Sequence, residues 1–374
     1  MAIPAALVVV PVGILFILSG FLVNLTQAIL FVLVRPFAKN LYRTINKLLL
    51  ESLWLEVVWL FDWWAGIKVE LHTDSETYNQ FIGKENALLI CNHRSDIDWL
   101  VGWVLAQRTG CLGSTVAVMK KELKYLPVIG WSMWFGDYIF LERRWDKDEA
   151  TLNSSFGRLE EVSVPFWLAL FVEGTRFTKP KLVSAQEYAA SKGLPIPRNV
   201  LVPRTKGFVS AVTQTRKFVG AVYDFTFAVP KSQHSPTLWS MFQGISSTVK
   251  VELKRHPMEE LPETADGIAQ WCRDQFVSKD AALERYGTTG VFSEQEMHDT
   301  GRPKISLVVV ICWCCVVGLG MAMVGFSWWR LLSSRQGLLS GALLLTLVTL
   351  VMHFLISSSS QPPTDPIRET LLPP

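Results

Sequence analysis

Charged side chains are missing from the first part of the sequence. Between Ala2 and Val34 there is no Asp, Glu, Lys or Arg, and about 20 apolar residues suffice for a helix that spans a bilayer. This absence excludes an ordinary soluble amino terminus. The segment also lacks a basic start and a small-residue cleavage site, so we expect an uncleaved membrane anchor over 1–35 rather than a signal peptide. Pro11 and the polar patch at 24–27 could instead divide it into two re-entrant helices.

Cysteine is scarce, and its positions carry no pattern. Three of the six cysteines lie in one apolar run and the other three are far apart: 312, 314 and 315, then 91, 111 and 272. The absence of metal-ligand or disulfide spacing favours a domain that faces a reducing compartment. The net charge of +3 is too small to indicate nucleic acid as a partner.

Basic residues and apolar runs indicate how the chain meets a membrane. Four basic residues follow the first anchor: Arg35, Lys39, Arg43 and Lys47. They predict that the chain enters its polar part on the cytosolic side. Two more apolar runs, 305–329 and 337–356, predict a transmembrane hairpin over 305–356. The Ser- and Pro-rich tail at 357–374 has too little apolar surface to fold, and we expect it to be disordered.

The region from 36 to 79 is apolar but interrupted by acids. Its stretch 48–66 holds four Trp together with Glu51, Glu56 and Asp62. This composition suits an interfacial, amphipathic helix. A buried helix of the soluble part is the alternative.

Apolar runs alternate with helical stretches between the anchors. Near-continuous apolar runs are typical of strands buried on both faces, and seven are predicted: 86–91, 114–119, 137–142, 166–174, 200–203, 218–229 and 247–253. Helices are predicted between them at 96–108 and 147–161. This alternation predicts the α/β fold class, with a mixed, largely parallel sheet flanked by helices. In such sheets ligands bind beyond the carboxyl ends of the strands.

A dense polar cluster, CNHRSDID at 91–98, follows the first of these strands. Ser95 and Asp98 have the spacing of a capping box, with Ser95 as the N-cap of the next helix. Because helical side chains lean towards the N-terminus, Asp98 would reach back to His93 and fix its tautomer. The other ring nitrogen could then accept a proton from a hydroxyl. Asp96 is the competing carboxylate, and a purely structural capping box would use the same Ser and Asp.

A nucleophile that would complete a hydrolase triad is missing from the motifs. The sequence has no G-x-S-x-G elbow, and Cys91 lies within a predicted strand rather than at a turn. The polar cluster therefore suits direct transfer to a substrate hydroxyl.

A second polar cluster, FVEGTRFT at 171–178, also ends an apolar run. Gly174 allows a sharp turn close to a ligand, Thr175 offers a hydroxyl, and Arg176 has the planar fork that suits phosphate. Glu173 could orient Arg176. An ordinary turn with a surface ion pair is the alternative, but two polar clusters at two strand ends of one sheet are a stronger signal than either alone.

Together these motifs resemble those of the glycerolipid acyltransferases. NHRSDID contains the pattern N-H-x-x-x-x-D, and GDYIFLER, FVEGTR and VLVPRTKGF follow in the order and spacing of the family's blocks, over about residues 80–215. With KKELKYLPVIGW included, the chain is most similar to the eukaryotic 1-acyl-sn-glycerol-3-phosphate acyltransferases of the plant microsomal type. One departure is Val172, where many members have Pro.

The resemblance implies a reaction and roles for individual residues. It implies a membrane-anchored catalytic domain over 80–215, with a C-terminal part at 216–304, that transfers an acyl group from acyl-CoA to the sn-2 hydroxyl of lysophosphatidic acid. His93 would be the general base and Asp98 would orient it. Substrate binding is implied for a larger set: Lys121, Gly136, Arg143, Glu173, Gly174, Thr175, Arg176 and Pro203. Within this set, Lys121 has an ordinary surface lysine as its alternative, and Pro203 would shape the acyl or coenzyme A site.

Cofactor, location and rival functions follow from the same resemblance. It implies no metal or redox cofactor, since coenzyme A carries the acyl group. It implies a multi-pass protein of the endoplasmic reticulum membrane with its catalytic domain facing the cytosol. The oligomeric state is left open. The rival functions are acylation of another lysophospholipid or of glycerol 3-phosphate, and a catalytically silent membrane scaffold.

Overall fold

A mixed sheet organises the polar part of the chain. The structure, a computed structural model, describes residues 4–142, 144–332 and 334–358. Among these residues the strands are β1 (Lys68–His72), β2 (Ala87–Cys91), β3 (Thr115–Lys120), β4 (Ile139–Leu141), β5 (Trp167–Leu170), β6 (Ala221–Ala228), β7 (Thr248–Pro257) and β8 (Met297–Asp299). Their order in the sheet is β4-β3-β5-β2-β6-β7-β1-β8. Only β6–β7 and β1–β8 are antiparallel among the described pairs, which confirms the predicted α/β class with a largely parallel sheet.

Helices connect and flank these strands. They are α1 (Ala6–Leu33), α2 (Lys39–Trp59), α3 (Asp98–Arg108), α4 (Ile129–Phe135), α5 (Trp145–Glu160), α6 (Lys179–Ser191), α7 (Thr205–Thr215), α8 (Leu238–Phe242), α9 (Ala265–Thr289), α10 (Ile305–Leu332) and α11 (Arg335–Ser358). A π-helical turn at Leu60–Trp64 continues α2. The helices predicted at 96–108 and 147–161 correspond to α3 and α5.

The central strands β2 and β6 are buried along their whole length. Covering both faces requires the continuous apolar runs that the sequence shows there. Two opposite charges lie in this core, where Asp224 of β6 forms an ion pair with Lys279 of α9. A charge buried this deeply is tolerated only when it is paired.

The first helix, α1, is continuous and includes Pro11, so the alternative of two re-entrant helices does not describe it. Its buried polar side chains dock it onto α2. Ser19 Oγ donates to Glu56 Oε1 at 2.6 Å, and Gln27 Nε2 donates to Asn46 Oδ1 at 2.8 Å. The outward side chains of α1 are apolar and exposed, which leaves that face for lipid.

Among the described residues, the helices that are both long and apolar enough to span a membrane lie near the two ends of the chain. Three helical segments there are long and apolar enough to cross a membrane: Ala6–Leu33, Ile305–Met323 and Leu339–Ser357. They coincide with the predicted anchor at 1–35 and the predicted hairpin at 305–356. Of the tail predicted at 357–374, the first two residues belong to α11, and the rest lies outside the described residues.

The Trp-rich stretch 48–66 is largely buried. Leu53 and Trp54 have no exposed surface, and the ring centroid of Trp54 lies 4.3 Å from that of Trp103 in α3. This packing is what the buried-helix alternative requires. Trp63 remains exposed near the end of the stretch.

The prediction of a strand at 200–203 is wrong. A side chain, and not a neighbouring strand, accepts backbone hydrogen bonds where this segment begins. Asp280 of α9 accepts hydrogen bonds from three successive backbone N–H groups: those of Arg198, Asn199 and Val200. Val200, the first residue of the predicted strand, thus donates its N–H to a side chain and not to a neighbouring strand.

The sequence does not predict β1 and β8, which lie together at one side of the sheet. They pair with each other, and β1 also pairs with β7, so the sheet includes strands that precede and follow the segment 80–215 in the chain. The short strand β8 has only three residues, which is too short for a periodic pattern.

Candidate active site

The turn after β2 brings His93 and Asp98 together. His93 Nδ1 lies 2.9 Å from Asp98 Oδ2. The same carboxylate oxygen accepts the backbone N–H of Ser95 at 2.8 Å. Asp98 is buried, whereas the His93 side chain is partly exposed. An imidazole whose Nδ1–H donates to a carboxylate presents an unprotonated Nε2 to a substrate.

The capping role predicted for Ser95 is wrong. In the described structure α3 begins at Asp98 without a side-chain cap, and its N-cap residue is Ile97. Ser95 Oγ instead donates to the carbonyl oxygen of Pro236 at 2.6 Å, because a distant segment crosses the turn. Only the acid half of the capping box forms, and it holds the carboxylate of Asp98 beside the imidazole.

The electrostatic setting of Asp98 suits a partner for a cation. Burial raises the pKa of its carboxyl, and the hydrogen bond from His93 acts against that shift. A carboxylate in this position stabilises the imidazolium that forms when His93 takes up a proton. The pair can therefore act as a general base.

The segment after β5 is bonded directly to the His93 turn. The backbone N–H of Phe177 donates to the carbonyl oxygen of His93 at 2.7 Å, and the ring centroids of Phe171 and His93 are 4.7 Å apart. Strands β2 and β5 are parallel neighbours, so both polar clusters lie at one edge of the sheet. This is the location that the strand ends predict.

Glu173 is a buried residue that supports the backbone of His93 through a hydrogen bond. It is 3% exposed, and its Oε1 accepts the backbone N–H of His93 at 3.1 Å. Burial raises the pKa of Glu173 to about 8, so the carboxyl is mostly protonated at neutral pH. The expectation that it orients Arg176 is wrong, because the described ion pair of Arg176 is with Asp96.

Substitutions at Glu173 should separate support of His93 from a need for charge. Glu173→Gln keeps an acceptor for the His93 N–H and should retain activity, whereas Glu173→Ala leaves that buried donor unpaired and should cost about 1–3 kcal/mol of stability. Thermal unfolding of the detergent-solubilised protein, with activity assays, checks both. Equal losses of stability and activity in the Gln and Ala variants would contradict the role of Glu173 as an uncharged hydrogen-bond acceptor.

The same carboxyl gives a pH dependence of known sign. Its folded-state pKa of about 8 lies above the ordinary 4.5, so the folded protein binds more protons than the unfolded chain between these values. The stability of the wild type should therefore fall as pH rises from about 4.5 to 8. The Gln variant should lack this part of the fall.

Asp96, the competing carboxylate, binds the second cluster rather than His93. Its Oδ2 lies 3.6 Å from Arg176 Nη1, and its Oδ1 accepts the backbone N–H of Leu238 at 3.0 Å. Arg176 keeps 48% of its side chain exposed. The guanidinium is thus held at the edge of the site with part of its surface available to an anion.

Two further cations lie around the E-G-T-R turn. Gly174 has φ +69°, and a Cβ added there would come within 2.9 Å of the Arg204 side chain. Lys181 Nζ donates to Thr175 Oγ1 at 2.5 Å. Sequence reasoning did not assign Arg204 or Lys181. Arg204 lies within the quoted block VLVPRTKGF, which is a local signal, but the sequence has no comparable signal for Lys181.

The remaining candidate residues are not joined to the turn by the described contacts. Lys121 forms an ion pair with Glu142. Gly136 ends α4 against α2, and a Cβ there would lie 2.7 Å from Leu50 Cδ1. Arg143 lies outside the described residues. Substrate roles for Lys121, Gly136 and Arg143 therefore stay predictions.

Pro203 lies where the catalytic edge meets a cavity. Residue 204, next in the chain, donates its backbone N–H to the carbonyl oxygen of Val172 at 2.7 Å. On its other side Pro203 lines a cavity of about 580 Å³ between the 194–203 segment and α9. Its assignment to an acyl or coenzyme A site stays a prediction.

Within residues 4–142, 144–332 and 334–358, no three His, Cys, Asp or Glu side chains are grouped as metal ligands would be.

Comparison with known proteins adds evidence independent of this geometry. The family model described as "Acyltransferase" matches residues 68–229, and that described as "Acyltransferase C-terminus" matches residues 240–313. A solved 1-acyl-sn-glycerophosphate acyltransferase from Thermotoga maritima aligns with 71% of this chain and 97% of its own, at 16% identity and a TM-score of 0.41. These values are low, so the assignment rests on the sequence matches.

Curated relatives match over almost the whole length. The chain is 57% identical to 1-acyl-sn-glycerol-3-phosphate acyltransferase 2 of Brassica oleracea, over 98% of this chain and 94% of the relative. It is 56% identical to 1-acyl-sn-glycerol-3-phosphate acyltransferase 3 of Arabidopsis thaliana over the full length of both. Identity to the human gamma enzyme of the same name is 37%, over 82% and 80%. The chain therefore belongs to the acyltransferase family, in its plant-type 1-acyl-sn-glycerol-3-phosphate acyltransferase group.

Proposed function

We propose that this protein transfers an acyl group from acyl-CoA to the sn-2 hydroxyl of lysophosphatidic acid and so forms phosphatidic acid. The observation that carries the proposal is the 2.9 Å contact between His93 Nδ1 and Asp98 Oδ2, at the same sheet edge as the half-exposed Arg176. The names of the full-length relatives support this acceptor.

The reaction uses His93 as a proton carrier. Its Nδ1–H donates to Asp98, and its Nε2 accepts the proton of the sn-2 hydroxyl as that oxygen attacks the thioester carbonyl carbon. A C–O bond forms, and the tetrahedral intermediate then collapses with cleavage of the C–S bond. The imidazolium gives its proton to the departing thiolate, so coenzyme A leaves as the thiol and His93 returns to its starting state.

The E-G-T-R turn holds the phosphate of the acceptor. Arg176 supplies a planar fork for phosphate oxygens, and Arg204 and Lys181 add positive charge around the turn. Gly174 lets the backbone approach the anion, and Thr175 offers its hydroxyl. Glu173 acts indirectly, through its hydrogen bond to the backbone of His93.

Replacing Arg176 with alanine should weaken binding of the acceptor. A charged contact to phosphate contributes about 1.5–3 kcal/mol, which corresponds to about a ten- to hundredfold rise in the KM for lysophosphatidic acid. The KM for acyl-CoA should change little, and Arg176→Lys should restore binding only in part.

A matched control is Arg158→Ala, which removes a partly exposed arginine of α5 that pairs with Asp137 and should leave both KM values unchanged. A rise in the acyl-CoA KM alone would assign Arg176 to the phosphates of the coenzyme.

A panel of acceptors tests the proposed function. Purified full-length protein with one acyl-CoA should acylate lysophosphatidic acid in preference to glycerol 3-phosphate and to lysophospholipids with larger head groups. Preference for one of those acceptors would keep the chemistry and replace the substrate. Inactivity with every acceptor, in protein that remains folded, would favour the membrane scaffold.

We also propose the endoplasmic reticulum membrane as the location, with the catalytic domain facing the cytosol. Basic residues directly after the first anchor support this orientation: Arg35, Lys39, Arg43 and Lys47. A protease site inserted in the exposed segment 191–193 should be cut in sealed microsomes. Cutting only after detergent is added would place the domain in the lumen.

A further inference from the structure

The short helix α8 presents exposed apolar side chains and is bonded to the π-helical turn at Leu60–Trp64, called the membrane-linked turn below. Trp239 is 70% exposed, and Ile245, just after the helix, is 40% exposed. Trp64 Nε1 donates to the carbonyl oxygen of Phe242 at 3.1 Å. This hydrogen bond joins α8 to the π-helical turn at Leu60–Trp64.

That turn is bonded in its own right to the start of α10. Trp63 Nε1 donates to Ser306 Oγ at 3.2 Å, where the apolar segment Ile305–Met323 begins. Arg302 and Lys304 directly precede this segment. Basic residues and tryptophans of this kind are typical of the boundary between membrane and water, so we expect that boundary to pass close to Trp63.

The segment that contains α8 is also bonded to the turn after β2 that carries His93 and Asp98, called the catalytic turn below. Ser95 Oγ donates to the carbonyl oxygen of Pro236 at 2.6 Å, and Asp96 Oδ1 accepts the backbone N–H of Leu238 at 3.0 Å. Asp96 is the residue that pairs with Arg176. A single short segment thus contacts both the membrane-linked turn and the residues around His93.

We propose that Trp239 and Ile245 form a docking surface that inserts into the interfacial layer of the lipid bilayer. Tryptophan combines a large apolar ring with one polar N–H and suits that layer. The surface continues the contact that α10 makes with the membrane, which favours a bilayer over a protein partner. By docking, α8 holds the catalytic turn at the surface from which a lipid acceptor arrives. The docking of α8 does not depend on the proposed function. Only the delivery of the lipid acceptor rests on the proposed function.

Photocross-linking tests the docking without reference to activity. A photoreactive phenylalanine derivative replaces Trp239 in the full-length protein, reconstituted in phosphatidylcholine vesicles. The control position is Tyr188, an exposed aromatic residue of α6. We expect phospholipid adducts at 239 and few or none at 188. Equal lipid labelling at the two positions, or adducts at 239 only with protein, would overturn the proposal.

Activity measurements test the delivery of the acceptor. Trp239→Asp should raise the apparent KM for long-chain lysophosphatidic acid in vesicles by about tenfold or more, because burying one large apolar side chain is worth at least that factor. Trp239→Phe should stay close to wild type. With short-chain lysophosphatidic acid dissolved as monomers, both variants should match the wild type. An equal loss on dissolved and vesicle-bound acceptor would contradict the proposal and indicate damage to the fold.

Discussion

Replacing His93 with alanine should lower turnover by about 100-fold or more, the range expected when a positioned general base is lost. The imidazole acts on a proton that moves only as the transition state forms. We therefore expect kcat to fall while the KM values for acyl-CoA and acceptor stay near those of the wild type. Steady-state kinetics of the purified full-length protein, with each substrate varied in turn, measure this.

A matched control is His234→Ala, which removes an exposed imidazole and should leave kcat unchanged. A His93→Ala protein that retained most of its turnover would remove the basis for the proposed mechanism. A fall in the melting temperature of the His93 variant alone would instead indicate lost structure, so thermal unfolding is measured alongside.

Replacing Asp98 with asparagine should be almost as severe. The oxygen of Asp98 that faces His93 Nδ1 also accepts the N–H of Ser95, so the amide oxygen of asparagine takes that place and keeps both hydrogen bonds. The variant loses the negative charge that stabilises the imidazolium. We expect kcat to fall by about 10²- to 10⁴-fold, as measured at saturating substrate.

Asp96→Asn is the matched comparison, because it changes the same group two residues away. Its amide oxygen can still accept the N–H of Leu238, so the main loss is the charge opposite Arg176 at 3.6 Å. We expect a change in the acceptor KM and a much smaller change in kcat. Equal losses of kcat in the two variants would leave His93 without an assigned carboxylate partner.

Contacts between residues close in the chain follow from local pattern. Asp98 is five residues from His93, and the lean of side chains at a helix start is enough to predict their meeting. The apolar runs likewise predict most of the strands and the membrane helices, because burial on all sides permits few other residues. Even so, the helix start is displaced from its predicted position, since Ser95 bonds to Pro236 rather than to its own helix.

Contacts across the sheet depend on strand order, which local pattern does not encode. Arg176 meets Asp96 because β5 lies beside β2, and α8 reaches the same turn from more than a hundred residues away. Partners of this kind can also replace predicted structure, as Asp280 does where a strand was expected at 200–203.

Burial is the other property that only packing sets. Nothing near Glu173 in the chain indicates that its carboxyl is enclosed and has a pKa of about 8, since the groups that enclose it come from distant segments. The same holds for Lys279 and Asp224, which lie 55 residues apart and form an ion pair inside the core. The pairing of His93 with Asp98 can thus be predicted from the sequence of one turn. The burial and pKa values of the groups around it depend on distant segments that pack there and exclude water.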